Sequence, residues 1–369
     1  MIIAFNTISF RNNRSDGLEF FYQALIKIAE EQPDHTFIFI FDKIVSQSFS
    51  ENIIPITVSP KSVNALLWQY WYNYKISGVL KKYKVHIFLS FDAISLRTKI
   101  NQFLVIPDLE FLHQSQIPNR KEFNFLKRNT PKYINKAKRI ITFYQCCKDE
   151  IINVYKIKPE KISLCHIAAE DVFIPINFSE RESIKEKYAD GNEYFMFSGI
   201  DHPTNNLYNL LKAFSFFKKR QKSNMQLIIA LSGNRSEDLT EKLRLFKFKS
   251  EVKLINNIPE EELARIIASA YAFVYSTVSN SLATALLQAL KAEVPIVTSD
   301  FPVLHELAGT GALYCDPNNI NDIAEKMMVL FKDEKLRREL IEKGKAQSNN
   351  YNKESATGFL WKTINEAVN

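Results

Sequence analysis

Glycine is scarce in this sequence: nine among 369 residues. That is fewer than a phosphate-binding α/β protein normally uses for close backbone approach and left-handed turns. Cysteine is rarer still. The four present (Cys146, Cys147, Cys165 and Cys315) form no CxxC pair and no Cys/His cluster with zinc spacing. A disulfide framework or zinc ribbon is therefore not expected, and the cysteines read as packing residues in a reducing compartment. Nowhere does the chain approach the roughly 20 uncharged apolar residues a membrane helix needs. Its opening segment lacks the charged start of a signal peptide and reads as a first buried strand, so a cytoplasmic location is expected. There is also no internal repeat and no low-complexity tract.

Against these absences stand 46% hydrophobic and 24% charged residues, the balance of a globular protein. The length exceeds what one hydrophobic core usually supports, so two domains are expected. The net charge of +7 is unevenly spread. Residues 1–175 hold 23 Lys and Arg against 16 Asp and Glu, whereas residues 176–369 hold 25 of each. A basic first half can meet anionic lipid headgroups or an acidic substrate; equally, it can be an ordinary solvated surface. Nucleic acid is not expected, because no recognised binding motif accompanies the charge.

Short apolar runs alternate with helical periodicity from the start. Residues 2–5 and 37–41 read as buried strands, and Leu18, Phe21, Leu25 and Ile28 recur between them at helical spacing. Runs at 85–90, 103–106, 140–143 and 162–165 continue the series. After a polar stretch with Pro175 and the turn signal Asp190-Gly191, a second series begins at 194–197, 226–230, 252–255, 272–275 and 296–298. The expectation is an α/β chain of two Rossmann-like, doubly wound domains facing each other across a cleft. Residues 1–175 form the first, 176–192 a linker and 193–350 the second, with a C-terminal helix over about 351–369 joining the first. Phe359, Leu360 and Ile364 share one side of that helix.

Several motifs, in order, carry a resemblance. They include residues 33–42, Val105-Ile106-Pro107-Asp108-Leu109, the loop Phe197-Ser198-Gly199-Ile200-Asp201-His202-Pro203 and the helix that follows it. Val294-Pro295-Ile296-Val297-Thr298-Ser299 and then His305-Glu306-Leu307-Ala308-Gly309 complete the set. Over essentially its whole length the sequence resembles retaining glycosyltransferase family four, the group 1 glycosyltransferases, in a Bacteroidetes-type branch. The resemblance implies the GT-B fold and a nucleotide-sugar donor bound by the second domain. It also implies a glycan or lipid-linked acceptor on the first domain, and chemistry that needs no metal or other cofactor.

A diphosphate that gains charge as the sugar leaves must be met by cations or backbone N–H groups. The family places an Arg-Lys pair directly after the Pro of its phosphate loop; here those positions are Thr204 and Asn205. Both donate hydrogen bonds without charge, and Arg235 or Lys212 are nearby cations that could substitute. The alternative is that 202–204 is only a strand-to-helix turn, capped by Asn205 or Thr204. The family's second signature, two Glu residues flanking Gly-Phe-Gly, falls on Asn280, Ser281-Leu282-Ala283 and Gln288. Amides keep the shape of the carboxylates without their charge, and the new Cβ atoms obstruct close backbone approach. Glu293 stands where the family usually has Gly. In the first domain the family's His-Asp is Pro107-Asp108, which makes Asp108 and His113 the candidates nearest the reaction centre. A lone loop histidine such as His113 is more often a surface or capping residue. Gly17, placed in a loop before the first helix, joins Gly199, His202, Thr204, Asn205, Arg235, Asn280, Ser281, Leu282 and Gln288 in the candidate donor set. Asp92 is a further acceptor-side candidate.

The stretch 66–74 places Trp68, Trp71 and Tyr72 on one helical face, which suits core packing or contact with a membrane surface helped by Lys81 and Lys82. Two functional readings follow. In one, the chain transfers a hexosyl group from a nucleotide sugar to a glycan or lipid-linked acceptor, in the synthesis of cell-surface polysaccharide or glycoconjugate. In the other, it is a catalytically inactive homologue that binds sugar or partners an active glycosyltransferase.

Overall fold

The computed structural model describes residues 1–8, 16–58, 72–91, 93–113, 120–233, 235–279 and 283–366. The chain divides into two compact units, Met1–Ile167 with Glu354–Asn369, and Ala168–Lys353. The sequence-based linker, 176–192, holds the helix Phe178–Ala189 and belongs to the second unit. Asn177 caps that helix by accepting from the Glu180 N–H, so its polar start, which reads as a linker, is a capped helix terminus.

The first unit is built on seven strands: β1 (Ile2–Asn6), β2 (Thr36–Phe41), β3 (Ile53–Thr57), β4 (Ile87–Ser90), β5 (Asn101–Val105), β6 (Arg139–Thr142) and β7 (Ile162–Leu164). They pair in the order β3-β2-β1-β4-β5-β6-β7, all parallel. Central strands such as β2 are buried almost end to end, the pattern of a parallel sheet covered on both faces. Edge strand β3 buries only Ile53 and carries an exposed Pro55, which interrupts its apolar run. The helix Lys353–Glu366 returns to this unit and buries Leu360 and Ile364. Phe359 points to solvent, 44% exposed, and does not share their side as its sequence position suggested. Tyr72 is buried within the turn Tyr72–Ile76; Trp68, Trp71 and Asp92 lie outside the described residues.

The second unit holds β8 (Tyr194–Gly199), β9 (Gln226–Leu231), β10 (Val252–Asn256), β11 (Ala272–Tyr275), β12 (Ile296–Ser299) and β13 (Ala312–Cys315) in the order β10-β9-β8-β11-β12-β13, again all parallel. Chain order runs one way from β8 to β10 and the other way from β11 to β13. The sheet therefore reverses between β8 and β11, and ligands of open α/β sheets bind at such a reversal, beyond the carboxyl ends of the strands.

The scarcity of glycine has a structural counterpart. Among the described residues, eight non-glycine residues hold φ between 49° and 59°, against three glycines with positive φ. Lys156, Asp190 and Lys222 end helices in the left-handed conformation usually given to glycine. Glu293, just past the end of the helix Thr284–Lys291, also holds a left-handed φ of 58°, and its carboxylate meets Lys345 at 2.8 Å.

Candidate functional site

The loops that follow β8 and β11 are bound into one framework. Past Gly199 the chain makes a short turn, Pro203–Asn205, and then enters the helix Leu207–Gln221. The Thr204 carbonyl accepts from the Val278 N–H and the Thr277 hydroxyl, both at 2.8 Å. Ser299, at the end of β12, donates to the Thr277 carbonyl at 2.6 Å. Asn206 adopts φ 57° and its side-chain amide donates to the Ser276 and Pro317 carbonyls, at 2.8 and 2.7 Å. One amide thus ties the loops after β8, β11 and β13 together, and its left-handed backbone suits Asn better than most residues. Neither Thr204 nor Asn205 caps the helix; Asn206 stands at that position, and its side chain makes no cap bond. Among the described residues, no side chain caps the first N–H groups of the Leu207–Gln221 helix. The helix Thr284–Lys291, after β11, starts at Ala283, whose side chain makes no cap bond. The N-terminus of the Leu207–Gln221 helix, beside the sheet reversal, is suited to an anion.

The candidate donor residues divide around this framework. Asn205 is buried and donates to the Ile200 carbonyl at 2.8 Å, so it holds the loop closed. Gly199 permits that closure: a Cβ there would stand 3.2 Å from the Asn205 amide nitrogen and 3.0 Å from the Phe197 ring. The His202 Nδ1 accepts from the Thr204 N–H and lies 2.7 Å from the Thr204 hydroxyl. Burial lowers the His202 pKa below its ordinary value, with the nearby Asp201 charge opposing, and a neutral imidazole is what accepting at Nδ1 requires. Gln288 is half-buried on the helix Thr284–Lys291. Asn280, Ser281 and Leu282 lie outside the described residues.

The two substitute cations part company. Lys212 sits 4.0 Å from the centre of the Tyr208 ring on the outer face of its helix. Arg235 is exposed on the loop after β9, and that loop is pinned to the site: the Ser236 N–H donates to Asp201 Oδ2 at 2.7 Å, and the Ser232 N–H to the Gly199 carbonyl at 2.8 Å. Sequence reasoning missed Asn206, Thr277 and the Asp201–Ser236 bond. Only Asn206 left a signal, an Asn doublet at a strand-to-helix turn.

In the first unit, Gly17 lies in the first turn of the helix Asp16–Glu31, one residue inside the helix rather than in a loop before it. Asp108 is 4% exposed and accepts from the Glu110 N–H at 3.0 Å, starting the short helix Glu110–His113. His113 pairs through Nε2 with Glu150 on the helix Gln145–Tyr155. The Cys147 thiol beside them is pushed far above its ordinary range by the adjacent Cys146 and by burial, and it donates to the Pro107 carbonyl. Among the described residues no group of His, Cys, Asp and Glu is arranged to hold a metal ion, and no helix is long and apolar enough to cross a membrane.

Two units, each with a parallel Rossmann-like sheet, define the GT-B class of fold. A glycosyltransferase from Rickettsia africae ESF-5 has a similar structure, with a TM-score of 0.78 at 15% identity over 100% of this chain and 98% of that one. So does HepE of Anabaena in complex with UDP-glucose, at 0.75 and 13% over 99% and 100%. Residues 178–347 match the family model for glycosyl transferases group 1. The match lies within the second unit, which is therefore similar to a group 1 glycosyltransferase domain. Among curated proteins, the O-antigen chain mannosyltransferase RfbU of Salmonella typhimurium is 25% identical over 271 residues, 73% of this chain and 71% of RfbU.

Proposed function

We propose that the chain transfers a hexosyl group from a nucleotide sugar to a glycan or lipid-linked acceptor in the synthesis of a cell-surface polysaccharide. The observation that carries the reading is the family match over 178–347, which spans both loops of the sheet reversal in the second unit. The likeness to an O-antigen mannosyltransferase supports mannose as the first sugar to test, and the HepE complex supports a nucleotide sugar as the donor class. Nothing in these similarities favours a shell that has lost catalysis.

In this reading the bond between the anomeric carbon and the diphosphate oxygen breaks while the acceptor hydroxyl oxygen bonds to that carbon and releases its proton. The charge left on the diphosphate is met by amides at the starts of the Leu207–Gln221 and Thr284–Lys291 helices and by the guanidinium of Arg235. Asn206 and Thr204 hold those amides in place, and no metal is required. The test is release of nucleoside diphosphate by the full chain from a panel of UDP- and GDP-hexoses, with and without a chelator. Turnover of one donor that survives chelation is expected; no release from any donor with a lipid-linked or glycan acceptor present would contradict the proposal.

A further inference from the structure

We infer that the outer face of the second unit, along the helix Leu207–Gln221 and the segment 242–250, docks on an anionic lipid surface. This puts the contact on the neutral second half rather than on the basic first half, for which lipid contact was one of several readings of the charge. The second half is neutral overall, yet residues 207–235 contain six Lys and Arg and no acid, and residues 242–250 contain four and no acid. Cations are therefore segregated within a neutral unit.

The two segments lie side by side. Lys242, in the helix Glu237–Arg244, sits 4.6 Å from the Tyr208 ring centre at one end of the Leu207–Gln221 helix. Near the other end, Lys218 lies 3.9 Å from Glu251. Tyr208, Lys212, Phe216 and Arg220 follow at four-residue spacing on one helix face. Apolar groups stand out of this face: Leu245 is 71% exposed and Phe216 39%, while Phe246 and Phe248 are half-buried. Lys219 and Lys247 sit over the Phe216 and Phe248 rings, at 5.7 and 5.5 Å. Among the described residues, Lys219, Arg220, Lys222, Arg244, Lys247 and Lys249 make no ion pair, although Lys242 pairs with Asp238.

A face made only for solvation would have no use for a 71% exposed leucine and half-exposed phenylalanines. A soluble polyanion site would need cations without the apolar groups between them. Exposed apolar side chains interleaved with unpaired cations match an interface where acyl chains begin beneath phosphate headgroups. Long lysine stems reaching over aromatic rings fit the same geometry.

The test sediments the full chain with vesicles of phosphatidylcholine containing about one-third phosphatidylglycerol, and with phosphatidylcholine alone. Binding to the anionic vesicles that falls as salt rises is expected, because a charge attraction of this kind is screened within about 8 Å at physiological ionic strength. The triple variant Lys219→Glu, Arg220→Glu, Lys222→Glu should weaken it by about tenfold or more. If that variant misfolds, Lys247→Glu with Lys249→Glu on the second segment serves in its place. The pair Phe216→Ser and Leu245→Ser should weaken lipid binding while heparin binding stays unchanged. The inference is overturned by no binding to anionic vesicles at low salt, or by binding that survives the charge reversals. It is equally overturned if the apolar pair makes no difference, which would make the face a polyanion site, or if Lys81→Glu with Lys82→Glu abolishes binding instead.

Discussion

At its N-terminal end the helix Leu207–Gln221 meets the turn Pro203–Asn205, which holds no cation; its C-terminal end carries Lys218, Lys219 and Arg220 in the last turn and Lys222 just beyond. The C-terminal cations complement the partial negative charge of the helix end. The N-terminal end leaves its amides open and relies on a framework of neutral hydrogen bonds. Helices in phosphate-binding sites are often reinforced by side-chain cations at the amide end. Here the order is inverted, and the difference teaches that the proposed donor binding at this end has to rest on how firmly the loops hold the amides.

That contrast is broken most severely at Asn206. Asn206→Leu removes two hydrogen bonds and puts a branched side chain at φ 57°. It should cost about 3 kcal/mol of stability in urea unfolding and abolish donor turnover. Asn206→Gly keeps the backbone conformation and should cost less than the Leu variant; an equal cost would mean that the left-handed backbone is not what selects Asn. The next test concerns the cations. Arg235→Ala should lower kcat/KM for the donor by about tenfold to a hundredfold, the size of one charge-assisted hydrogen bond, while Lys212→Ala changes it less than about threefold. The reverse pattern would return a cation to the N-terminal end of the helix.

Much of this scaffold was legible in the sequence and much of the site was not. Buried parallel strands such as β2 and β9 write themselves as unbroken apolar runs. Edge strand β3, mostly half-buried or exposed and interrupted by Pro55, does not. Donor candidates at Gly199, His202 and Thr204 fall at the end of β8 and on the loop after it because motif order fixed their place, yet the partners that hold Thr204 and its neighbour Asn206 lie about 70 residues away along the chain. No local pattern encodes such a pairing. Thr204 and Asn205 look like lost cations by alignment, whereas physically they are a loop closure. Lys212 looks adjacent to the site because it is near in sequence, but helical periodicity turns it outward onto Tyr208.

Glu293 carries the comparison to a second place where another residue stands in glycine's conformation. Glu293→Val should destabilise by about 1–2 kcal/mol, and Glu293→Gly should stay within about 1 kcal/mol of the parent, since relief of φ strain offsets the lost Lys345 pair. Thermal unfolding of both variants decides the point. The smallest effect is expected from pH. With the folded-state pKa of His202 lowered below its unfolded value of 6.5, the unfolded chain binds the proton more readily. Stability is therefore lost as pH falls through about 6.5, and the loss ends below the lowered folded value. Urea unfolding at about pH 7.5 and 5.5 should show a smaller drop for His202→Asn than for the parent; an equal drop would leave the neutral-imidazole bond to Thr204 without thermodynamic weight.

Amide hydrogen exchange of the full chain, with and without a turned-over nucleotide sugar, tests most directly whether the helix amides at the sheet reversal hold the donor. The account predicts slowed exchange over residues 204–209 and 284–288 together, with the slowing at 284–288 retained in Arg235→Ala at saturating donor. Protection confined to the outer face around Lys212 and Phe216, or absent from both helix starts while the donor is being consumed, would contradict it.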